Sequence, residues 1–404
     1  MSECKFVVHH FLRCHSKTNN DSADVSTQVW YAAFEPSRKS HLVATCGGNK
    51  VCVIDVKTGV VEFRYTYSKG LLYTLSWSTA CPSNNILATG GTNCTIVLID
   101  LKTHKAYLHY SLPQANKKIF ISSILFHPSQ NILNRIINLE QRCSIDLQCE
   151  IFGLTFCEIN EYLLIATNIG LKGWDNSQSQ DQELLDFELP KNPNELYRDQ
   201  NENVIDSIEI VKDSWIAVKV ALHGVIYIFN LDATLSKKKN NKCLVIPPYI
   251  LKWSDTDNYF MSCSVGLDGK LLACGDDKGS VWIYNLEDIS FKCSTRDSKI
   301  INVNSVLKWP KLHDSYLKKK KKLEVDVYDI VIAKCAVHYS GNYLVAVTNN
   351  NFVCLYKKST LTFLNRNRPR VRYPWSAQNR VRRVWRNPKR FRRWFCVLSS
   401  TGLA

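Results

Sequence analysis

The chain has 404 residues, of which 45% are hydrophobic and 22% charged, a balance that excludes disordered and collagenous proteins and allows a large buried core. The net charge of +16 is unevenly spread, because residues 361–404 hold eleven Arg and one Lys without any Asp or Glu. This tail therefore contributes +12 of the net charge of +16, and an argument from basic charge to nucleic acid concerns the tail alone.

Sixteen cysteines are scattered along the chain, often inside apolar runs such as Val51-Cys52-Val53. This pattern is typical of buried, reduced thiols rather than of a secreted disulfide framework. Charged residues interrupt the first fifteen positions, and no window offers the roughly 18 apolar residues of a membrane span. We expect an intracellular protein with no membrane partner.

A cassette of three predicted strands recurs in chain order: an aromatic or apolar run, a small-residue run ending near Gly, and an alternating apolar run closed by Asp or Asn. The first copy comprises Trp30–Phe34, Leu42–Gly48 and Val51–Asp55, and the second begins 43 residues later at Tyr73. Later copies end at Asp175, Asn230, Asn285 and Tyr356.

Six complete units can be counted, and a seventh begins at Ile121 without its usual partner strands. WD repeats of about 40 to 45 residues close into a ring of four-stranded blades, so we predict an all-β, seven-bladed WD40 β-propeller with a degenerate third blade. We assign residues 1–20 to an N-terminal strand that closes the ring, 21–358 to the propeller, and 359–404 to a disordered, basic arginine and aromatic tail.

The sequence contains none of the motifs that would indicate a reactive centre. It has no pair of cysteines at zinc-finger spacing, no glycine-rich phosphate loop and no His-Glu-x-x-His motif. We therefore expect a binding protein rather than an enzyme, without cofactor or metal. In a propeller the place to look for binding is the mouth of the central channel.

Aromatic residues stand at equivalent positions near the start of three predicted inner strands: Trp30, Tyr73 and Tyr259, with Phe260 directly after the last. Such positions converge around one axis, so the rings could form a box for a methylated ammonium, which keeps its charge and is attracted to ring faces. The alternative is that these rings pack between blades as ordinary strand residues, as Phe152 at the same register could.

Several segments, among them Asp24–Trp30, Ala33–Pro36, Val43–Gly48 and Cys274–Tyr284, resemble the WD half of the leucine-rich repeat and WD repeat-containing proteins associated with the origin recognition complex. The resemblance covers residues 12–358. It implies a propeller that binds chromatin carrying repressive trimethyl-lysine marks and holds the origin recognition complex on heterochromatin.

A more distant similarity links the chain to the Polycomb embryonic ectoderm development WD protein, whose channel mouth grips trimethyl-lysine between aromatic rings. Its cage motifs align without gaps to Trp30 in Val-Trp-Tyr-Ala-Ala-Phe, to Tyr73 in Leu-Tyr-Thr-Leu-Ser-Trp, and to Tyr259 and Phe260 in Asn-Tyr-Phe-Met-Ser-Cys. The similarity implies that these four residues bind methyl-lysine.

The tail interleaves guanidinium groups with aromatic rings, a composition suited to phosphates and stacked bases of DNA or RNA. An equally open interpretation is that this segment derives from translated non-coding sequence. The candidate nucleic-acid contacts are Arg380, Arg382, Arg383, Arg386, Arg390, Arg392 and Arg393.

Together these patterns and resemblances lead us to expect a nuclear, chromatin-associated scaffold. Its expected partners are trimethylated histone H3 or H4 tails and subunits of the origin recognition complex. The alternative is a non-catalytic WD subunit of an RNA- or histone-modifying enzyme complex.

Overall fold

The computed structural model describes residues 5–16, 24, 26–78, 86–111, 120–126, 147, 149–177, 184–193, 203–256, 258–291, 298–310, 330–359 and 393–398. Within these residues the chain forms twenty-eight strands and one five-residue helix. None of these described segments is a helix long and apolar enough to cross a membrane.

The strands are short and follow one another through brief turns. The first nine are β1 (Phe6–Leu12), β2 (Val29–Phe34), β3 (Leu42–Gly47), β4 (Lys50–Asp55), β5 (Val60–Thr66), β6 (Leu72–Trp77), β7 (Ile86–Gly91), β8 (Thr95–Asp100) and β9 (Lys105–Ser111). The middle of the chain contains β10 (Phe120–Phe126), β11 (Ile151–Cys157), β12 (Tyr162–Thr167), β13 (Gly170–Asp175), β14 (Leu185–Glu188), β15 (Ile205–Lys212), β16 (Trp215–Val220), β17 (Val225–Asn230), the helix α1 (Leu231–Leu235), β18 (Lys242–Leu244) and β19 (Tyr249–Lys252). The remaining strands are β20 (Cys263–Gly266), β21 (Leu271–Gly275), β22 (Val281–Asn285), β23 (Lys299–Ile301), β24 (Ser305–Leu307), β25 (Ile332–Val337), β26 (Tyr343–Thr348), β27 (Val353–Lys358) and β28 (Arg393–Leu398).

Six sheets of four or five strands form the blades of a WD40 β-propeller, which we number in chain order. The first five blades are β2–β5, β6–β9, β11–β14 with β18, β15–β17 with β19 and β23, and β20–β22 with β24. The sixth consists of β25–β27 and β1, which pairs antiparallel with β27. The N-terminal strand thus completes the sheet built by residues 332–358, and joins the two ends of the ring.

The prediction of seven blades with a degenerate third is wrong, because the structure has six blades. At the predicted third position β10 pairs in parallel with β28, which comes from the tail, and forms a two-stranded sheet. The innermost strands β2, β6, β10, β11, β15, β20 and β25 each contact the next, and β25 contacts β2. β10 therefore occupies an inner position in the ring without belonging to a blade.

Glycines at the ends of two second strands let these strands approach the inner strands closely. Second strands end at glycines such as Gly47 and Gly91, where a Cβ would lie 2.6 Å from the Gln28 carbonyl oxygen and 1.9 Å from the Leu71 carbonyl oxygen, respectively. Only a residue without a side chain allows this approach to the inner strand. The sequence of residues 131–149 contains no glycine and no small-residue run like those of β3 and β7.

The hydrophobic core lies in layers between adjacent blades. Between the sixth and first blades, for example, Val345 and Leu355 pack in one cluster with Val43 and Ile54. Each fully buried aliphatic side chain of this kind contributes about 1.5–3 kcal/mol, so the ring is held by its inter-blade layers. The eleven cysteines whose side chains the structure describes are all buried and free, as the sequence pattern predicts.

Candidate functional site

A β-bulge interrupts five of the inner strands at their second residue, close to the end of the channel where these strands begin. We call this end the mouth. In β2 the backbone pairing skips from Val29 to Tyr31, and in β6 from Leu72 to Thr74. The residues left out of the ladders are Trp30, Tyr73, Phe152, Asp206 and Ala333. A bulge redirects the side chain it carries, so the same irregularity sets these five residues at equivalent places around the mouth.

Two of the predicted residues meet directly. The rings of Trp30 and Tyr73, from the adjacent first and second blades, have centroids 5.9 Å apart and planes at 79°. Both side chains are half-buried. An edge-to-face pair is a favourable geometry for aromatic rings, and two nearly perpendicular planes form a corner that a cationic head group can enter.

The other two predicted residues form a second aromatic group with Phe152, for which the sequence left inter-blade packing open as an alternative. Phe260 lies edge-to-face with Tyr259, at 6.4 Å, and with Phe152, at 5.1 Å. Phe152 belongs to β11 and Phe260 precedes β20, and β15 lies between those two strands in the ring. Their rings therefore meet across the mouth rather than in a layer between neighbouring blades.

The backbone of Phe260 has φ of +69°, a left-handed conformation that costs a non-glycine residue about 1–3 kcal/mol. Hydrogen bonds stabilise the loop on both sides of Phe260. The Asn258 side chain donates to Asp277 Oδ2 at 2.9 Å, and the Ser262 amide donates to the Ala333 carbonyl at 3.0 Å. These bonds hold the conformation that turns Phe260 toward Phe152.

A fully buried ion pair lies beside this loop. Lys219 Nζ donates to Asp206 Oδ2 at 2.6 Å, both side chains have no exposed surface, and the ammonium stands 4.5 Å from the centroid of the Trp253 ring. Burial raises the pKa of Asp206, while the charge of Lys219 and the backbone amide of Met261 oppose that rise. The carboxylate thus joins β16 to the residue that follows Phe260. Sequence reasoning missed this pair, although a lysine between Val218 and Val220 in an apolar strand is a usable signal.

The opposite end of the channel contains a cavity of about 450 Å³. It is lined by the later residues of four inner strands, including Tyr31, Glu209, Ser264 and Lys334. Lys334 Nζ donates to Glu209 Oε1 at 2.8 Å and to the Cys263 carbonyl at 2.9 Å. Burial is the largest single influence and by itself would lower the pKa of Lys334, but the charge and hydrogen bond of Glu209, with smaller contributions from Tyr31 and Cys263, together hold that pKa above its ordinary value. This pair links the fourth and sixth blades across the channel.

Of the predicted nucleic-acid contacts, Arg380, Arg382, Arg383, Arg386, Arg390 and Arg392 lie outside the described residues. Arg393 is the first residue of β28, for which the backbone pairing with β10 is described and the side chains are not.

Comparison with known proteins supports the architecture and identifies the family. The family model for the WD domain of leucine-rich repeat and WD repeat-containing protein 1 matches residues 3–142 and 134–359. Proteins of that name from Xenopus tropicalis and Homo sapiens are 30% identical over 391 residues and 25% identical over 382 residues, each covering 86% of this chain. The chain spans about half the length of these relatives, 54% and 57% respectively.

Among solved structures, the chain is similar to the Cps50 (Swd1) β-propeller domain of Myceliophteria thermophila, with a TM-score of 0.58 and 11% identity, covering 88% of this chain and 100% of that one. This likeness supports the propeller fold. The sequence relationships confirm the resemblance that the motifs indicated, and the chain belongs to the leucine-rich repeat and WD repeat-containing protein 1 family, within which it matches the WD domain.

Proposed function

We propose that this WD-repeat scaffold binds trimethylated lysine of histone H3 or H4 tails at the mouth of its channel, through Trp30, Tyr73, Tyr259 and Phe260. The observation that carries the proposal is the corner formed by Trp30 and Tyr73, with a second aromatic group at the same end of the ring. In this proposal the chain acts by binding and is not an enzyme.

The energetic argument rests on the ammonium head group. Trimethylation keeps the positive charge and weakens hydration, so the head group loses less on leaving water while each ring face attracts it by about 0.5–2 kcal/mol. Loss of the Tyr73 ring should therefore weaken binding of a trimethylated peptide about 2- to 30-fold. An unmodified lysine gains less from the rings, because its hydration is stronger.

Fluorescence polarisation with matched trimethylated and unmodified H3 and H4 peptides tests this proposal. The intact chain should prefer trimethylated peptides, and Tyr73→Ala should reduce that preference. Tyr339→Ala is the matched control, since Tyr339 lines the cavity at the other end of the channel. Equal affinity of the intact chain for modified and unmodified peptides would refute the methyl-lysine proposal.

We further propose that the chain recruits or stabilises the origin recognition complex at heterochromatin, which makes it a nuclear protein. Membership of the family supports this part of the proposal. Purified origin recognition complex should be retained by the immobilised chain, and Tyr73→Ala should retain it equally if the two partners use different surfaces. Failure to retain the complex would reject recruitment and leave the methyl-lysine proposal standing.

A further inference from the structure

A buried cluster of metal-binding side chains lies where the ring closes. One donor atom from each of Cys14, His15 and Cys52 lies within 4.8 Å of the other two, and all three residues are buried. Cys14 and His15 follow β1 of the sixth blade, whereas Cys52 lies in β4 of the first blade. The cluster therefore bridges the segment that leaves the last blade and a central strand of the first.

The hydrogen bonds of His15 determine which ring nitrogen is available. Nδ1 lies 3.3 Å from the Gly47 carbonyl, which can only accept, so this contact favours the tautomer with the proton on Nδ1. Nε2 then has its lone pair free to accept, and it lies 2.8 Å from Thr45 Oγ1. That hydroxyl has an alternative acceptor, the Cys52 carbonyl at 3.3 Å, and can release the imidazole. A metal-bound histidine donates its other ring N–H to such a carbonyl, so Nε2 could exchange the Thr45 hydroxyl for a metal ion.

We propose that Cys14, His15 and Cys52 bind a Zn²⁺ ion through two thiolates and the Nε2 atom of a neutral imidazole. Sulfur and nitrogen donors are the preferred ligands of this ion, and an oxygen donor completes a tetrahedral site. The Cys14 carbonyl, 3.3 Å from Cys52 Sγ, offers such an oxygen nearby.

The charges of the proposed ligands and Zn²⁺ cancel, as is favourable for a buried site. Binding displaces one proton from each thiol, and two thiolates, a neutral imidazole and Zn²⁺ sum to zero, so no net charge is left in the core. The imidazole binds a metal ion in its neutral form.

The consequence of this site would be structural. Residues 13–28 connect the outer strand of the sixth blade to the inner strand of the first. In the described part of this segment, the Asn351 side chain accepts a hydrogen bond from the His15 amide at 3.1 Å and donates one to Ser16 Oγ at 3.0 Å. An ion bound by both Cys14 and Cys52 would link this connecting segment to β4. Zn²⁺ should therefore raise the midpoint of thermal unfolding.

The test uses the full chain, purified under reducing conditions and passed over a weak chelator, with metal content measured by mass spectrometry. We expect about one Zn²⁺ per folded chain. Cys14→Ser combined with Cys52→Ser should remove it, while Cys274→Ser should keep it, since Cys274 is an equally buried free thiol in the fifth blade. Circular dichroism checks that each variant is folded.

A second measurement keeps the proposal open to refutation if the double variant does not fold. Co²⁺ added to the intact chain should produce a thiolate-to-metal charge-transfer absorption band, and Zn²⁺ should abolish it. The proposal is overturned if the intact chain retains no Zn²⁺ and shows no such band with Co²⁺, or if Cys274→Ser loses the metal as completely as the double variant.

Discussion

Replacement of Lys219 by Met should destabilise the protein strongly at neutral pH and progressively less on acidification. The substitution keeps the volume of the buried stem but leaves the Asp206 carboxylate, which has no exposed surface, without its partner at 2.6 Å. Breaking a buried pair from one side costs about 3–5 kcal/mol. The variant should lose this amount at pH 7 in urea unfolding followed by circular dichroism.

The pH dependence of this destabilisation follows from the direction in which Lys219→Met shifts the pKa of Asp206. Lys219 lowers the pKa of Asp206 against the effect of burial, so its removal raises the folded-state pKa further above the unfolded value. A raised folded-state pKa gives stability that is present below the unfolded pKa and lost as pH rises through the folded pKa. Over the pH range in which Asp206 is protonated in the folded variant but ionised in the folded wild type, the loss of unfolding free energy caused by Lys219→Met should therefore shrink by about 1.4 kcal/mol for each pH unit of acidification.

Lys242→Met is the control, because its ion pair with Glu188 is exposed, at 64% and 51% of the two side chains, and should contribute at most about 1 kcal/mol. A cost below about 1 kcal/mol for Lys219→Met at pH 7, or a cost that grows on acidification, would refute the claim that the pair is buried and ionised.

Three further predictions concern other parts of the molecule. Burial lowers the pKa of His223 to about 4, so stability that is present above pH 6.5 is lost as pH falls toward 4. His223→Gln should remove about 3 kcal/mol of that loss in urea titrations. Gly91→Ala should lower the thermal unfolding midpoint, because the added methyl would meet the backbone of the inner strand. If the tail binds DNA, Arg382→Gln with Arg383→Gln should reduce the slope of log affinity against log salt by about 2, measured by filter binding.

The repeated strand pattern was enough to predict the propeller, because each unit repeats a local combination of a small-residue run and a following apolar run. The blade count could not be predicted in the same way. The sheet partner of β10 is β28, which begins 267 residues after β10 ends, and no local pattern links the two strands. A pairing of such large sequence separation depends on the closed ring, which only the folded chain provides.

The aromatic mouth was predictable only in part. The positions of Trp30 and Tyr73 near the start of their strands indicated a shared place around the axis, and the structure brings these rings together. The contact of Phe152 with Phe260 depends on a left-handed backbone at Phe260, which the residue type disfavours. Likewise, Cys14 and Cys52 are 38 positions apart and approach only because the ring closes between them.

β10 gives the tail a structural connection to the mouth. In the ring this strand stands between β6, which carries Tyr73, and β11, which carries Phe152, so it sets the separation between the two aromatic groups. Its described sheet partner is β28. Without β28, the backbone donors and acceptors of β10 on that edge would need other partners, at about 1–3 kcal/mol for each buried group left unsatisfied. The arrangement of the mouth therefore depends on a strand that lies outside the WD repeats. Under the proposed function, we expect mutations in the tail to alter peptide binding without any contact between the tail and the peptide.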